Sequence, residues 1–267
     1  MSYETITLAQ TDGVARLTLN RPDKMNALSR DMVGELSDAI KQIAREKEIR
    51  AVLMTGNGRG FCAGADLAEG MMRSEGDVDL GKQVADGMER LHNRLVRALA
   101  KLEKPVVAAV NGAAAGGGMS LALTADIVIA AKSAYFVLVF GPNLGIVPDM
   151  GASWLTPRLV GDARARGMAL TGERIPAEQA AEWGMIWKAV DDDALMDEAQ
   201  TLAAKLAAGP TLGFGLIKRA LLASGQNSLD AQLDMERDMQ NIAARSHDFS
   251  EGVAAFVAKR PPAFKGH

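Results

Sequence analysis

An α/β fold followed by a purely helical C-terminal region is predicted by three observations. Residues 51–55, 106–110 and 126–130 are compact apolar runs of the length of buried strands. Between them lie stretches whose apolar residues recur every three or four positions, the mark of amphipathic helices. After Val190 no strand pattern returns, and residues 193–208, 211–223, 228–246 and 249–258 all read as helices. The expected organisation is therefore a core over residues 1–192 and a helical region over 193–267. A chain of 267 residues buries enough apolar surface to need neither disulfide nor metal.

The elements follow in order. Ile6 and Leu8 alternate with polar residues, Asp12-Gly13 turns, and Ala15, Leu17 and Leu19 alternate again, a hairpin signal. Arg21 to Leu28 is a turn-rich link. Ser29 can cap the helix on which Met32, Leu36, Ile40 and Ile43 recur. The run at 51–55 passes through a glycine-rich loop into Phe61-Cys62-Ala63-Gly64-Ala65-Asp66-Leu67, a small-residue turn. Residues 68–82 carry no period and read as a surface loop. Val84, Met88, Leu91, Leu95, Leu99 and Leu102 define a long helix that Pro105 ends, with His92 on its polar side. The run 106–110 leads through Gly116-Gly117-Gly118 into a helix beginning at Met119. Residues 136–140 read as a strand edge broken by Gly141-Pro142-Asn143. Ile146 to Gly151 is a loop before the helix of Trp154, Leu155 and Leu159. A short helix at 177–183 precedes a last strand at 185–190.

Composition excludes several function classes. A net charge of -3 gives no basic footprint for nucleic acid or an anionic membrane. The single cysteine, Cys62, rules out an internal disulfide, reads as a small core residue and suits a reducing, cytoplasmic compartment. His92, His247 and His267 offer no zinc spacing. The first residues lack the basic and apolar runs of a signal peptide, and the apolar stretch at 106–125 is interrupted by Asn111 and glycines, which argues against a membrane span.

Two stretches carry chemistry. Three glycines at a strand-to-helix turn remove each Cβ that would keep a ligand from the backbone, and the first turn of a helix offers free N–H groups and the positive end of its dipole. Such a turn can hold a developing negative charge, such as the oxygen of a thioester enolate. The plainer alternative is that the glycines only let helix and strand pack closely. Asp149 has a plain alternative too, as the N-cap of the helix that follows. Its neighbours Ile146, Val147, Met150 and Trp154 are apolar. If they bury the carboxylate, its pKa rises toward neutrality, where a general base works best.

The ordered motifs Leu19-Asn20-Arg21-Pro22 with Asn26-Ala27-Leu28, Phe61 to Leu67, Lys104-Pro105-Val106, Asn111-Gly112, Gly116-Gly117-Gly118, Ala125-Asp126, Gly145-Ile146-Val147-Pro148-Asp149 and Ala180-Ala181-Glu182-Trp183-Gly184 resemble the crotonase (enoyl-CoA hydratase/isomerase) superfamily over essentially the whole chain. The resemblance implies a spiral of ββα units, C-terminal helices that build a homotrimer or a dimer of trimers, and an acyl-CoA substrate, with coenzyme A part of the substrate and no separate cofactor or metal. It implies an oxyanion hole from the backbone N–H groups of Ala65 and Gly117. It also implies contacts to the CoA moiety from Lys24, Ala63, Asp66 and Leu67, and from Lys259 or Arg260 of a neighbouring subunit.

Relatives that hydrate enoyl-CoA use two glutamates, where this chain has Ser120 and Gly141. Asp149 is the remaining carboxylate, which implies proton transfer between carbons rather than attack by water. Segments 145–161, 182–187, 215–218 and 245–260 look most like the branch that converts a ring-1,2-epoxide of phenylacetyl-CoA to an oxepin-CoA in phenylacetate breakdown. A 3,2-enoyl-CoA isomerase or a hydratase-like enzyme stands as the alternative. Further off are a dehalogenase-like enzyme with Asp149 as nucleophile and a non-catalytic CoA- or RNA-binding relative.

Overall fold

The computed structural model describes residues 3–67 and 79–267. Strands β1 (Ile6–Thr11) and β2 (Val14–Leu19) form the expected hairpin, with Ile6 opposite Leu19 and Thr11 opposite Val14. Asp12 and Gly13, at φ 49° and 78°, make its two-residue turn. Ser29 caps α1 (Arg30–Arg45) by accepting from the Met32 N–H, and Met32, Leu36, Ile40 and Ile43 are buried on one face.

Three similar units follow. The first is β3 (Ala51–Gly56) and β4 (Gly60–Cys62), then α2 (Leu80–Gly87), a π-helical turn (Met88–His92) and α3 (Asn93–Lys101). The second is β5 (Val106–Val110), β6 (Ala113–Ala115) and α4 (Gly117–Leu123). The third is β7 (Ile127–Ala131) and β8 (Tyr135–Val137), followed by a π-helical turn (Phe140–Leu144), α5 (Ala152–Val160) and α6 (Asp162–Thr171). Then come β9 (Ile175–Pro176), α7 (Ala177–Glu182) and β10 (Lys188–Val190). The chain ends in α8 (Leu195–Ala207), α9 (Thr211–Ser224), α10 (Leu229–Ala243) and α11 (His247–Val257).

Each unit gives one strand to each of two sheets. The larger has the order β1-β2-β3-β5-β7-β10, parallel from β2 onward, and the smaller has β4-β6-β8-β9, parallel over its first three strands. The chain thus climbs as a spiral of ββα units, as the resemblance implied. The step between sheets is tight. A Cβ on Gly56 would stand 2.5 Å from the Gly60 carbonyl, and Cβ atoms on Gly112 and Gly118 would collide with the carbonyls of Arg59 and Cys62.

The differences from the sequence reading have physical reasons. Strands β4, β6 and β9 are two or three residues long, and β6 is three alanines, which carry little strand preference. The stretches holding β4 and β6 read as turns, and residues 175–176 are assigned no element by the sequence reading. Helix α6 was not anticipated, because its apolar residues do not fall on one face, although Ala165 and Met168 are buried. The strand expected at 136–140 sits at 135–137, the last strand shrinks to 188–190, and the glycine helix starts at Gly117 rather than Met119. Asp79 caps a helix at Leu80, inside the segment expected to be a loop. The remainder of that segment, 68–78, lies outside the described residues. Helix α8 buries Leu195, Ala199, Ala203 and Ala207 in the main core, so by packing it belongs with the sheets although it follows residue 192. Among the described residues no single helix is long and apolar enough to cross a membrane.

Two of the motifs do structural work. The Asn26 side chain is fully buried. It accepts from the Arg21 N–H at 2.9 Å and donates to the carbonyls of Asn57 and Gly60, also at 2.9 Å. The Asp126 carboxylate accepts from the Val106 N–H at 2.7 Å and pairs with Lys218 on α9 at 2.7 Å, which ties the helical region to the start of β5.

Candidate active site

The chain leaves the smaller sheet three times near one pocket of about 240 Å³. After β4, the Leu28 N–H donates to the Gly64 carbonyl at 2.7 Å and the Asp66 N–H to the Leu28 carbonyl at 3.0 Å. The Ala65 N–H takes no part in this bridge. After β6, Gly116 turns at φ 51° and ψ −124°, a conformation that a side chain strongly disfavours. Its N–H donates to the Val137 carbonyl at 2.9 Å. Gly117 then opens α4, where no carbonyl one turn back is available to its N–H within the helix. The two turns touch, since a Cβ on Gly64 would lie 3.4 Å from the Gly117 nitrogen.

The third exit, after β8, carries Asp149. Met150 and Gly151 follow it in left-handed conformations, φ 50° and 87°, and reverse the chain into α5. Met150 is held there by burial, with its sulfur 3.1 Å from where a Gly117 Cβ would be. The Asp149 carboxylate does not cap α5, whose N-cap is Gly151 without a side-chain bond, so the N-cap alternative is set aside. Desolvation pushes the Asp149 pKa from 3.8 up to about 6, against the lowering effect of a bond from its own backbone N–H. Ser120, fully buried, donates from Oγ to the Asp149 carbonyl at 3.0 Å and fixes the loop from below.

Ala63, Ala65, Asp66, Leu67, Gly117 and Asp149 all line this pocket. Asp66 is committed to Arg21, whose guanidinium is 2.9 Å from its carboxylate. Lys24 and Lys259 lie apart from the pocket lining within the protomer. Lys24 is exposed on a 3-10 turn, and Lys259 is exposed at φ 52° just past α11. Arg260 is engaged by Glu251 at 2.6 Å. Cys62 is fully buried and its thiol is pushed up to about 12, in keeping with a core role.

Sequence reasoning missed Arg30 and misplaced His92, both of which line the pocket. His92 is half-buried rather than a surface residue, and burial lowers its pKa below 6.5, opposed in part by the Gly87 backbone. The cause is the π-helical turn at Met88–His92, which fits an extra residue into one turn and rotates the following face. The apolar spacing of Val84, Met88, Leu91 and Leu95 is also that of an ordinary helix, so no signal marked the shift.

The family model for enoyl-CoA hydratase/isomerase matches residues 9–267. The chain belongs to this family. It is 54% identical over 255 residues to the 1,2-epoxyphenylacetyl-CoA isomerase of Escherichia coli (strain K12), covering 95% of each chain. It is 45% identical over 266 residues to a probable enoyl-CoA hydratase of Rhodobacter capsulatus, covering 100% of both. Among solved structures it matches an enoyl-CoA hydratase from Bacillus anthracis with TM-score 0.91 and 34% identity, over 99% of this chain and 100% of that one. An acyl-CoA substrate is consistent with this membership.

Proposed function

We propose that this enzyme is an acyl-CoA isomerase that moves a proton between carbons with Asp149, and that its substrate is the ring-1,2-epoxide of phenylacetyl-CoA. The observation that carries the reading is a single desolvated carboxylate, near pKa 6, in the pocket that also holds the Ala65 and Gly117 turns. The positions where hydratases place glutamates support it. Ser120 spends its hydroxyl on the Asp149 loop, and a Cβ on Gly141 would meet the Ala169 carbonyl at 2.9 Å. The identity to the Escherichia coli isomerase supports the acyl group.

In the mechanism, the Ala65 and Gly117 N–H groups polarise the thioester carbonyl. Asp149 takes a proton from C2, and the electrons of that bond move into an enolate whose oxygen the two N–H groups hold. The carbon–carbon bond shared by epoxide and six-membered ring opens to a seven-membered oxepin, and Asp149 returns the proton to a ring carbon. With a 3-enoyl-CoA the same proton goes to C4 and leaves a 2,3 double bond. No water is consumed. The CoA phosphates sit at the mouth near Arg30, with Lys24 and a neighbouring subunit's Lys259 as further cations. Exposed Leu221, Leu229, Leu233 and Phe256 on α9 to α11 support assembly into a trimer or a dimer of trimers. A cytoplasmic location suits the single reduced thiol.

Deuterium exchange at C2 of phenylacetyl-CoA, with wild type and Asp149→Asn, tests the reading. Exchange in wild type that disappears in the variant supports it. Exchange that persists in Asp149→Asn removes Asp149 from its role.

A further inference from the structure

Residues 63–66 follow β4 and all line the pocket. Three of their four backbone N–H groups are engaged. Ala63 donates to the Met25 carbonyl at 2.9 Å, Gly64 to the Cys62 sulfur, and Asp66 to the Leu28 carbonyl at 3.0 Å. Among the described residues no acceptor takes the N–H of Ala65. The Leu28 N–H donates in return to the Gly64 carbonyl at 2.7 Å. The turn at residues 21–28, with Met25 and Asn26 left-handed at φ 51° and 55°, is thus a clamp closed on residues 63–66.

The clamp is fastened at two points. Asn26 donates to the Gly60 carbonyl at 2.9 Å, at the start of β4. Arg21 donates from Nη1 to the Ala27 carbonyl at 2.7 Å and to the Asp66 carboxylate at 2.9 Å. The Arg21 and Asp66 side chains are only 13% and 8% exposed, so solvent screens their pairing little. Ala65 needs this fastening. Gly64 before it stands at φ 93° without a Cβ to limit its rotation. The direction of the Ala65 N–H is therefore set by the bonds to Leu28 and by the anchored side chain of Asp66.

We propose that Arg21 is a positioning residue that holds the Ala65 N–H on the thioester oxygen through its ion pair with Asp66. This deepens, and rests on, the acyl-CoA isomerase reading with its paired N–H groups. A reacting group misplaced by about 1 Å costs about a hundredfold in rate, and a lost oxyanion donor costs about a hundredfold to a thousandfold.

The test follows phenylacetyl-CoA labelled with carbon-13 at its thioester carbonyl. It is bound to full-length wild type, Arg21→Met, Arg21→Lys and a double variant, Arg21→Met with Asp66→Asn. Two quantities are read: the rate of deuterium exchange at C2, and the infrared frequency of the bound carbonyl, which falls as hydrogen bonds polarise it. Wild type should lower the frequency below that of the free ester. Arg21→Met should exchange about tenfold to hundredfold more slowly and lose much of the lowering. Arg21→Lys should recover part of both, because an ammonium can pair with Asp66 without the planar fork. The double variant separates positioning from stability. Removing one partner leaves a buried charge unpaired, whereas removing both charges costs little. It should therefore melt close to wild type and still show slow exchange and a weakly lowered frequency. A wild-type frequency in the Arg21 variants overturns the inference, whatever happens to the rate, and so does a wild-type rate in the double variant. Wild-type exchange with no lowering of the frequency also overturns it, while proton transfer by Asp149 stands. A bound ester that does not exchange in wild type overturns the isomerase reading itself.

Discussion

Replacing Asp149 by asparagine should stabilise the protein at the pH where it works while abolishing turnover. Asparagine has nearly the same shape and stays neutral. In the native protein burial holds the Asp149 pKa at about 6, against 3.8 when the chain is unfolded. The native state therefore binds its proton more tightly. The stabilisation this brings is fully present below pH 3.8 and is lost as the pH rises through about 6. At about 1.4 kcal/mol per pH unit, the gap corresponds to about 3 kcal/mol of native-state cost at pH 8 and under about 1 kcal/mol at pH 4. Melting at fixed protomer concentration reads the difference. The variant should melt about 5–10 °C above wild type at pH 8 and close to it at pH 4. A difference that does not change with pH would refute the reasoning, because it would not come from the ionised carboxylate. A variant less stable than wild type at pH 8 would refute it too.

Ser120→Ala removes the hydroxyl that donates to the Asp149 carbonyl. It should destabilise by about 1–2 kcal/mol in urea titration, with a kcat loss of about tenfold as the loop relaxes. Cys62, fully buried with its thiol pushed up to about 12, should resist iodoacetamide at pH 8 in the native enzyme and react within minutes in denaturant, as followed by mass spectrometry. Asp248, nearly fully buried, accepts from the Lys265 and Gly266 N–H groups at 2.6 and 2.7 Å. Asp248→Ala should release residues 259–267 to limited proteolysis, with cleavage sites mapped by mass, while wild type is spared.

Much of the fold was legible because its long elements obey one period each. The α1 stripe, the β1–β2 hairpin and the four terminal helices appear where their apolar spacing put them. Of the second sheet only β8 was legible, through the run at 136–140, and β4, β6 and β9 were not. Two or three residues cannot display an alternation, and the alanines of β6 are chosen for close packing rather than strand preference. The site divides in the same way. Ala65 and Gly117 reach the pocket a few residues after strands of that sheet, and Asp149 reaches it at the end of the longer connection that follows β8. His92 depends on one extra residue in a helical turn, a backbone event with no compositional mark. The alternative N-cap role of Asp149 could be decided only by the coordinates, since left-handed Met150 and Gly151 move the cap two residues on.

The parallel order β4-β6-β8 has a consequence for how such an enzyme changes its chemistry. Neighbouring strands lie about 4.8 Å apart, so the three chain segments leaving them are stacked like adjacent rungs. On the proposed mechanism the first two rungs hold the thioester oxygen through backbone alone, and the third supplies the proton carrier. A substitution on the third rung can alter the reaction without disturbing thioester recognition, and the backbone contacts of the first two are indifferent to most side-chain changes. Recognition and reactivity are therefore separately heritable, and a new activity needs only that one rung be rewritten.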